Sequence, residues 1–118
     1  MAGFDLGLTT QGRPYVFDLN FRVVSSTVQL LLHPSAVERV GASVSESWHE
    51  LTKGPVADAL AALEPFGLSG LFVPCRLWDA TPESNGCSML TGFVVGNSAE
   101  AIAETRQAMR SALGDRLI

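Results

Sequence analysis

Positive charge is scarce in this sequence. Its 118 residues include 8 lysines and arginines against 12 acids, for a formal net charge of -4, and the only lysine is Lys53. No basic stripe runs along the chain. This excludes a protein that tracks a phosphate backbone, so no nucleic-acid partner is expected. Long apolar runs are missing too. None reaches the roughly 20 residues needed to cross a bilayer, so no membrane partner is expected. The start lacks a charged stretch followed by an apolar one, which argues against a secretory signal and for a cytoplasmic protein. Cysteine is limited to Cys75 and Cys87. They form no C-x-x-C pair, flank an apparent hairpin loop, and read as plain buried or half-buried thiols rather than a disulfide. Histidine is limited to His33 and His49. Neither has cysteines or acids at metal-ligand spacing, which argues against zinc. A Cys–His nucleophile pair has no supporting motif either. Repeats, low-complexity tracts and linkers are absent.

What remains is a globular composition, 47% hydrophobic and 17% charged, in a chain long enough for one hydrophobic core. Residues 4–9 alternate apolar and polar, TTQGRP marks a turn, and residues 14–21 alternate again, which predicts a hairpin. Ser25, Ser26 and Thr27 suit a helix start ahead of VQLLL, with Pro34 breaking it into two pieces and Gly41 ending the second. Residues 43–51 read as a strand. Pro55 opens a helix, where its missing N–H costs nothing, and Val56, Ala59, Leu60 and Leu63 form its core stripe up to Gly67. GLFVPCRLW and CSMLTGFVVG read as strands around the loop TPESNG, with Met89 and Phe93 in the core. Trp48 and Trp78 read as core or interface anchors. Ser98 is an N-cap candidate for a final helix over residues 99–113, and Glu100 and Glu104 suit its positive end. The GNSAE turn reads as an ordinary cap that could also meet an anion.

The expectation is an α+β fold of order β-β-α-β-α-β-β-α, mainly antiparallel, with helices on one face of the sheet. A mild boundary near Gly41 suggests a division into 1–41, hairpin and helix, and 42–118, a small α+β unit, with packing as a single domain the alternative.

The hairpin carries the unusual chemistry. Residues two apart on a strand share a face. On YVFDLNFR, Tyr15, Phe17, Leu19 and Phe21 share one face, and Val16, Asp18, Asn20 and Arg22 the other. A four-residue loop over 10–13 sets Thr9 opposite Pro14, Leu8 opposite Tyr15, Leu6 opposite Phe17, and Phe4 opposite Leu19. It also sets Asp5 opposite Asp18, with Asn20 beside them and Gly7 leaving open space. Opposed like charges destabilise a ribbon unless something offsets them. Hydration is one answer. A hard divalent cation is another, since Mg²⁺ prefers oxygen ligands and often shares them with substrate phosphates. Arg22 would meet the same phosphates with its fork of donors.

FDLGLTTQGRPYVFDLNFR resembles the C-terminal hairpin of the ATP-grasp ligases, which join a carboxylic acid to an amine through an acyl phosphate using Mg·ATP. The shared pattern is an acid in one strand, a Gly turn, then acid-x-Asn followed by x-Arg. The resemblance implies that Asp5, Asp18 and Asn20 ligate Mg²⁺, with Asp18 bridging two ions. It implies that Arg22 lies near the transferred phosphate, and that Ser25, Ser26 and Thr27 fall in a loop that helps bind the acyl substrate. Two positions depart from the pattern: the bridging acid is Asp where Glu is usual, and Phe21 stands where Pro is common. More loosely, GLFVPCRLW through FVVGNSAEAIAETRQAM is similar to the small C-terminal domain of pheganomycin-type peptide ligases. The lysine-bearing first lobe, Gly-rich flap and adenine-reading hinge of such ligases have no counterpart before Phe4, and Lys53 reads as a solvated loop residue. The expectation is therefore the C-terminal part of a carboxylate–amine ligase, not catalytic alone. It would bind ATP and a carboxylate only with a complementing lobe. The alternative is a non-catalytic binding or dimerisation module that pairs through the hairpin's free edge.

Overall fold

Alternating apolar stretches build two separate antiparallel sheets. The computed structural model describes residues 3–20 and 25–118; for 3–6, 17–20, 25 and 26 it describes the backbone alone. The elements are β1 (Gly3–Leu8), β2 (Pro14–Asn20), α1 (Ser25–Val40), β3 (Val44–Lys53), α2 (Val56–Leu68), β4 (Phe72–Trp78), β5 (Cys87–Gly96) and α3 (Ala99–Leu113), followed by a 3₁₀ turn, Gly114–Arg116. The class is α+β, and the order of strands and helices is the expected one.

β1 and β2 form a two-stranded sheet of their own, while the other strands lie in the order β3-β5-β4. β3 and β4 both run antiparallel to β5. They are therefore parallel to each other, and α2 carries the chain across β5 between them, a split βαβ unit.

β5 explains its own sequence. Its residues from Gly92 to Gly96 are all buried, as suits a central strand covered on both sides. Leu90 and Val94 join Trp48, Phe72, Ala59, Leu63, Ile102, Met109 and Leu113 in the core under α2 and α3. Phe93 and Val95 join Ala36, Ala42, Val40, Val73 and Cys75 under α1. Helices thus cover both faces of the three-stranded sheet rather than the one face expected, and the helix ahead of Gly41 shares a core with the strands after it. Trp48 packs edge-on against Phe72, with ring centroids 5.2 Å apart. Gly92 is needed for close approach, because a Cβ there would run into the Val73 carbonyl and the Phe72 ring.

Two local expectations change. α1 is one helix through Pro34 rather than two pieces. Proline forfeits one N–H bond, but Ala36 and Val40 beyond it are packed on Phe93 and Val95, and that burial carries the helix on. β3 also runs two residues past Leu51 to Lys53, in unbroken register with β5. Lys53 therefore ends a strand, its ammonium donating to the Asp115 carbonyl at 3.4 Å.

At the ends of α3 and α2 the caps differ. Ser98 caps α3, its hydroxyl accepting from the Ala101 N–H at 3.2 Å. α2 follows Pro55, which has no capping side chain. Asp79, just past β4, supplies the missing acceptor: its carboxylate takes the Val56 N–H at 2.8 Å and the Ala80 N–H at 2.9 Å. Ser88 donates to the Gly54 carbonyl at 2.5 Å and lies 3.5 Å from the same carboxylate. No described helix is long and apolar enough to cross a membrane.

Candidate functional site

The hairpin turn is tighter than alternation alone predicts. Thr9 N–H donates to the Arg13 carbonyl at 2.9 Å, and Gly12 N–H to the Thr9 carbonyl at 2.8 Å. Arg13 N–H donates to the Thr9 hydroxyl at 3.0 Å. This leaves three loop residues, 10–12, ending on Gly12 at φ +74°, a left-handed position that glycine fills without strain.

The register follows from that turn. Leu8 pairs with Pro14, Gly7 with Tyr15 and Leu6 with Val16; a bulge then absorbs one residue, after which Asp5 pairs with Asp18, Phe4 with Leu19 and Gly3 with Asn20. The expected pairs Thr9–Pro14, Leu8–Tyr15 and Leu6–Phe17 are therefore corrected by one residue. Phe17 is the extra residue of β2, and the expected Phe4–Leu19 and Asp5–Asp18 pairs are restored beyond it. Bulges of this kind add twist and re-aim side chains.

The shorter turn also changes what lies beside Gly7. The position is not open: a Cβ there would come within 2.8 Å of Cζ in the Tyr15 ring. Tyr15, read from alternation as part of the apolar face, instead lies over this glycine. Sequence reasoning missed this contact.

Asp5 and Asp18 are thus brought opposite each other, and Asn20 follows two residues on. Their side chains lie outside the described residues, as do those of Ser25 and Ser26, and Arg22 lies outside them altogether. Ser25, Ser26 and Thr27 occupy the first turn of α1 rather than a loop, which corrects the placement implied by the resemblance. Thr27 is half-buried. The donor set of two carboxylates and an amide oxygen suits a hard cation such as Mg²⁺.

Elsewhere, the described side chains include no group of three His, Cys, Asp or Glu able to hold a metal. His33 lies inside α1, its Nδ1 buried without a hydrogen-bond partner. His49 is exposed on β3. Cys75 and Cys87 are free thiols, and burial pushes the Cys75 thiol upward in pKa, away from a reactive thiolate. Trp78 is half-exposed, with the Arg76 guanidinium 3.7 Å over its ring.

Among the described residues, the acids held low are held by structural hydrogen bonds. Asp79 is held below the ordinary carboxylate range by the Val56 N–H first and the Ala80 N–H second. Glu100 is held low by its own N–H and the Ser98 hydroxyl at the start of α3. Comparison with protein-family models and with curated proteins finds no match to this chain.

Proposed function

We propose that this chain is the C-terminal part of an ATP-dependent carboxylate–amine ligase of the ATP-grasp kind, acting in the cytoplasm and contributing metal and phosphate ligands. The observation that supports this reading is the cross-strand pairing of Asp5 with Asp18. Two acids opposed on a ribbon repel, and a divalent cation turns that repulsion into ligation. Asp5, Asp18 and Asn20 would hold Mg²⁺, which supplies charge neutralisation to the phosphates of ATP. Arg22 would meet the transferred phosphoryl group with two parallel donors. Ser25, Ser26 and Thr27 begin α1, and the first-turn N–H groups of a helix favour an anion such as the substrate carboxylate.

A lysine-bearing lobe and a Gly-rich flap are required to enclose the nucleotide, so the chain alone is not catalytic. In a millimolar Mg²⁺ titration, backbone resonances of Asp5, Asp18 and Asn20 should move, and Asp18→Ala should abolish the movement. Resonances that stay in place in the unsubstituted chain would overturn the metal assignment.

The separation of the hairpin from the three-stranded sheet favours a second reading, a non-catalytic association module derived from the same scaffold. A two-stranded ribbon leaves both its edges open to another chain. Light scattering tests this second reading, since the module requires self-association without any nucleotide, and a single-chain mass at every concentration would overturn it.

A further inference from the structure

The two edges of the three-stranded sheet are built differently. β4 has seven residues, carries Pro74, and is interrupted by a bulge between Pro74 and Arg76. Proline and bulges are the devices that blunt an edge against strand addition. β3 has ten residues, no proline and no bulge. Among the described residues its outer side is met only at one end, where Leu117 bridges Thr52 and the Ile118 N–H donates to the Leu51 carbonyl at 3.3 Å.

The unmet groups can be named. In an antiparallel ladder, alternate residues send both backbone groups to the same side. Gly54 N–H reaches the Gly86 carbonyl, so the even-numbered residues of β3 address β5. Leu51 addresses Ile118, so the odd-numbered residues address the outside. Ser45, Ser47 and His49 therefore direct their N–H and C=O groups away from the sheet. Ser47 is the middle of the three and its side chain is exposed.

We propose that β3 pairs antiparallel with β3 of a second copy of this chain, about a two-fold axis at Ser47, joining the two sheets into one of six strands. In that register Ser47 faces Ser47, and Ser45 faces His49. Every outward N–H and C=O of the three residues on both strands then finds a partner, and Leu117 marks where the pairing stops at each end.

Charge favours this register over its two nearest slips. It sets Glu46 opposite Trp48 and Glu50 opposite Val44. A slip that moves the axis to Trp48 sets Glu46 opposite Glu50, and one that moves it to Glu46 sets that acid against itself. Like charges directly opposed destabilise a pair. Glu46 and Glu50 are also tied on their own chain to Arg106 at 2.8 Å and Arg110 at 3.5 Å, which leaves neither arginine free to relieve a slipped register. The inference goes beyond the ligase reading and holds whether or not Asp5 and Asp18 bind Mg²⁺. It deepens the association reading by placing the contact on β3 rather than on the hairpin.

The test is light-scattering mass over a dilution series, with cysteine cross-linking beside it. The chain should reach twice its 12.6 kDa mass at the concentrated end. Ser47→Lys, which sets two ammonium groups across the axis, should hold it at one chain. Under oxidation Ser47→Cys should cross-link across the axis. His49→Cys should not, because the two copies of residue 49 stand four residues apart along the strands, roughly 13 Å, where a disulfide needs Cα atoms within about 7 Å. The unsubstituted chain controls for Cys75 and Cys87. A single-chain mass at every concentration overturns the proposal. A dimer that survives Ser47→Lys also overturns it, and points to the hairpin edge instead. If Ser47→Lys fails to fold by circular dichroism, the two cysteine variants decide alone: equal cross-linking overturns the register, and cross-linking confined to residue 47 supports it.

Discussion

At the scale of single residues, the side chain with the most consequence outside the hairpin is Asp79. It caps a helix that begins 23 residues earlier in the chain, because Pro55 at that helix's start offers no acceptor. Its pKa in the folded protein lies below the ordinary value of 3.8, chiefly through the Val56 N–H. A depressed folded pKa means that the carboxylate stabilises the fold at pH values above the unfolded pKa. That contribution is lost as the pH falls through the folded value. Asp79→Ala should therefore melt at a lower temperature than the unsubstituted chain at neutral pH, and the gap should close on acidification below the ordinary carboxylate range. Asp79→Asn should fall between them, since an amide oxygen still caps. Thermal melts of the three proteins across that range check the sign, and a gap that widens in acid would contradict it. The sequence did not announce this role. Asp79 reads as one more loop acid, and only the fold brings the loop after β4 to the start of α2.

At the scale of elements, the strands and helices were legible where local signals agree. CSMLTGFVVG and the segment from Ala99 to Leu113 are bounded by Gly, Ser and turn residues, and they fold to those limits. Legibility failed where tertiary contact outweighs local preference. Pro34 signals a break, yet the buried residues beyond it hold α1 together. The hairpin gives a subtler case. Alternation located both strands and the Asp5–Asp18 pair, but it marks neither the shorter turn that displaces the pairs beside it nor the bulge that restores them, so the Tyr15 ring over Gly7 went unread. Gly92 is the counterpart in the core, a strand glycine whose necessity shows only when Phe72 and Val73 are set against it. Gly92→Ala adds one methyl where there is no room, and overpacking of this kind costs about 1–3 kcal/mol. Urea unfolding should show that loss with the slope unchanged. A neutral substitution would mean that β4 and β5 lie farther apart than described.

At the scale of the whole molecule, the chain divides its stability unevenly. Its radius of gyration is 16.4 Å, against roughly 13–14 Å for a compact domain of this length. The excess matches a hairpin in a sheet of its own. A two-stranded ribbon is marginal in water without a layer against it, whereas β5 is covered on both faces. Native-state hydrogen exchange should therefore separate the two sheets. Ladder amides of β5 should exchange only through global unfolding, and those of β1 and β2 orders of magnitude faster through local opening. Mg²⁺ bound between Asp5 and Asp18 would slow the hairpin amides and leave β5 unchanged, because a ligand stabilises only the opening that releases it. Pairing of β3 with a second copy would instead protect the outward amides of Ser45, Ser47 and His49. Equal protection of β1, β2 and β5 in the absence of metal would show that the hairpin shares the core's stability, and the description of it as an unsupported ribbon would be wrong. The same data would then separate the metal site from the dimer, since each protects a different set of amides.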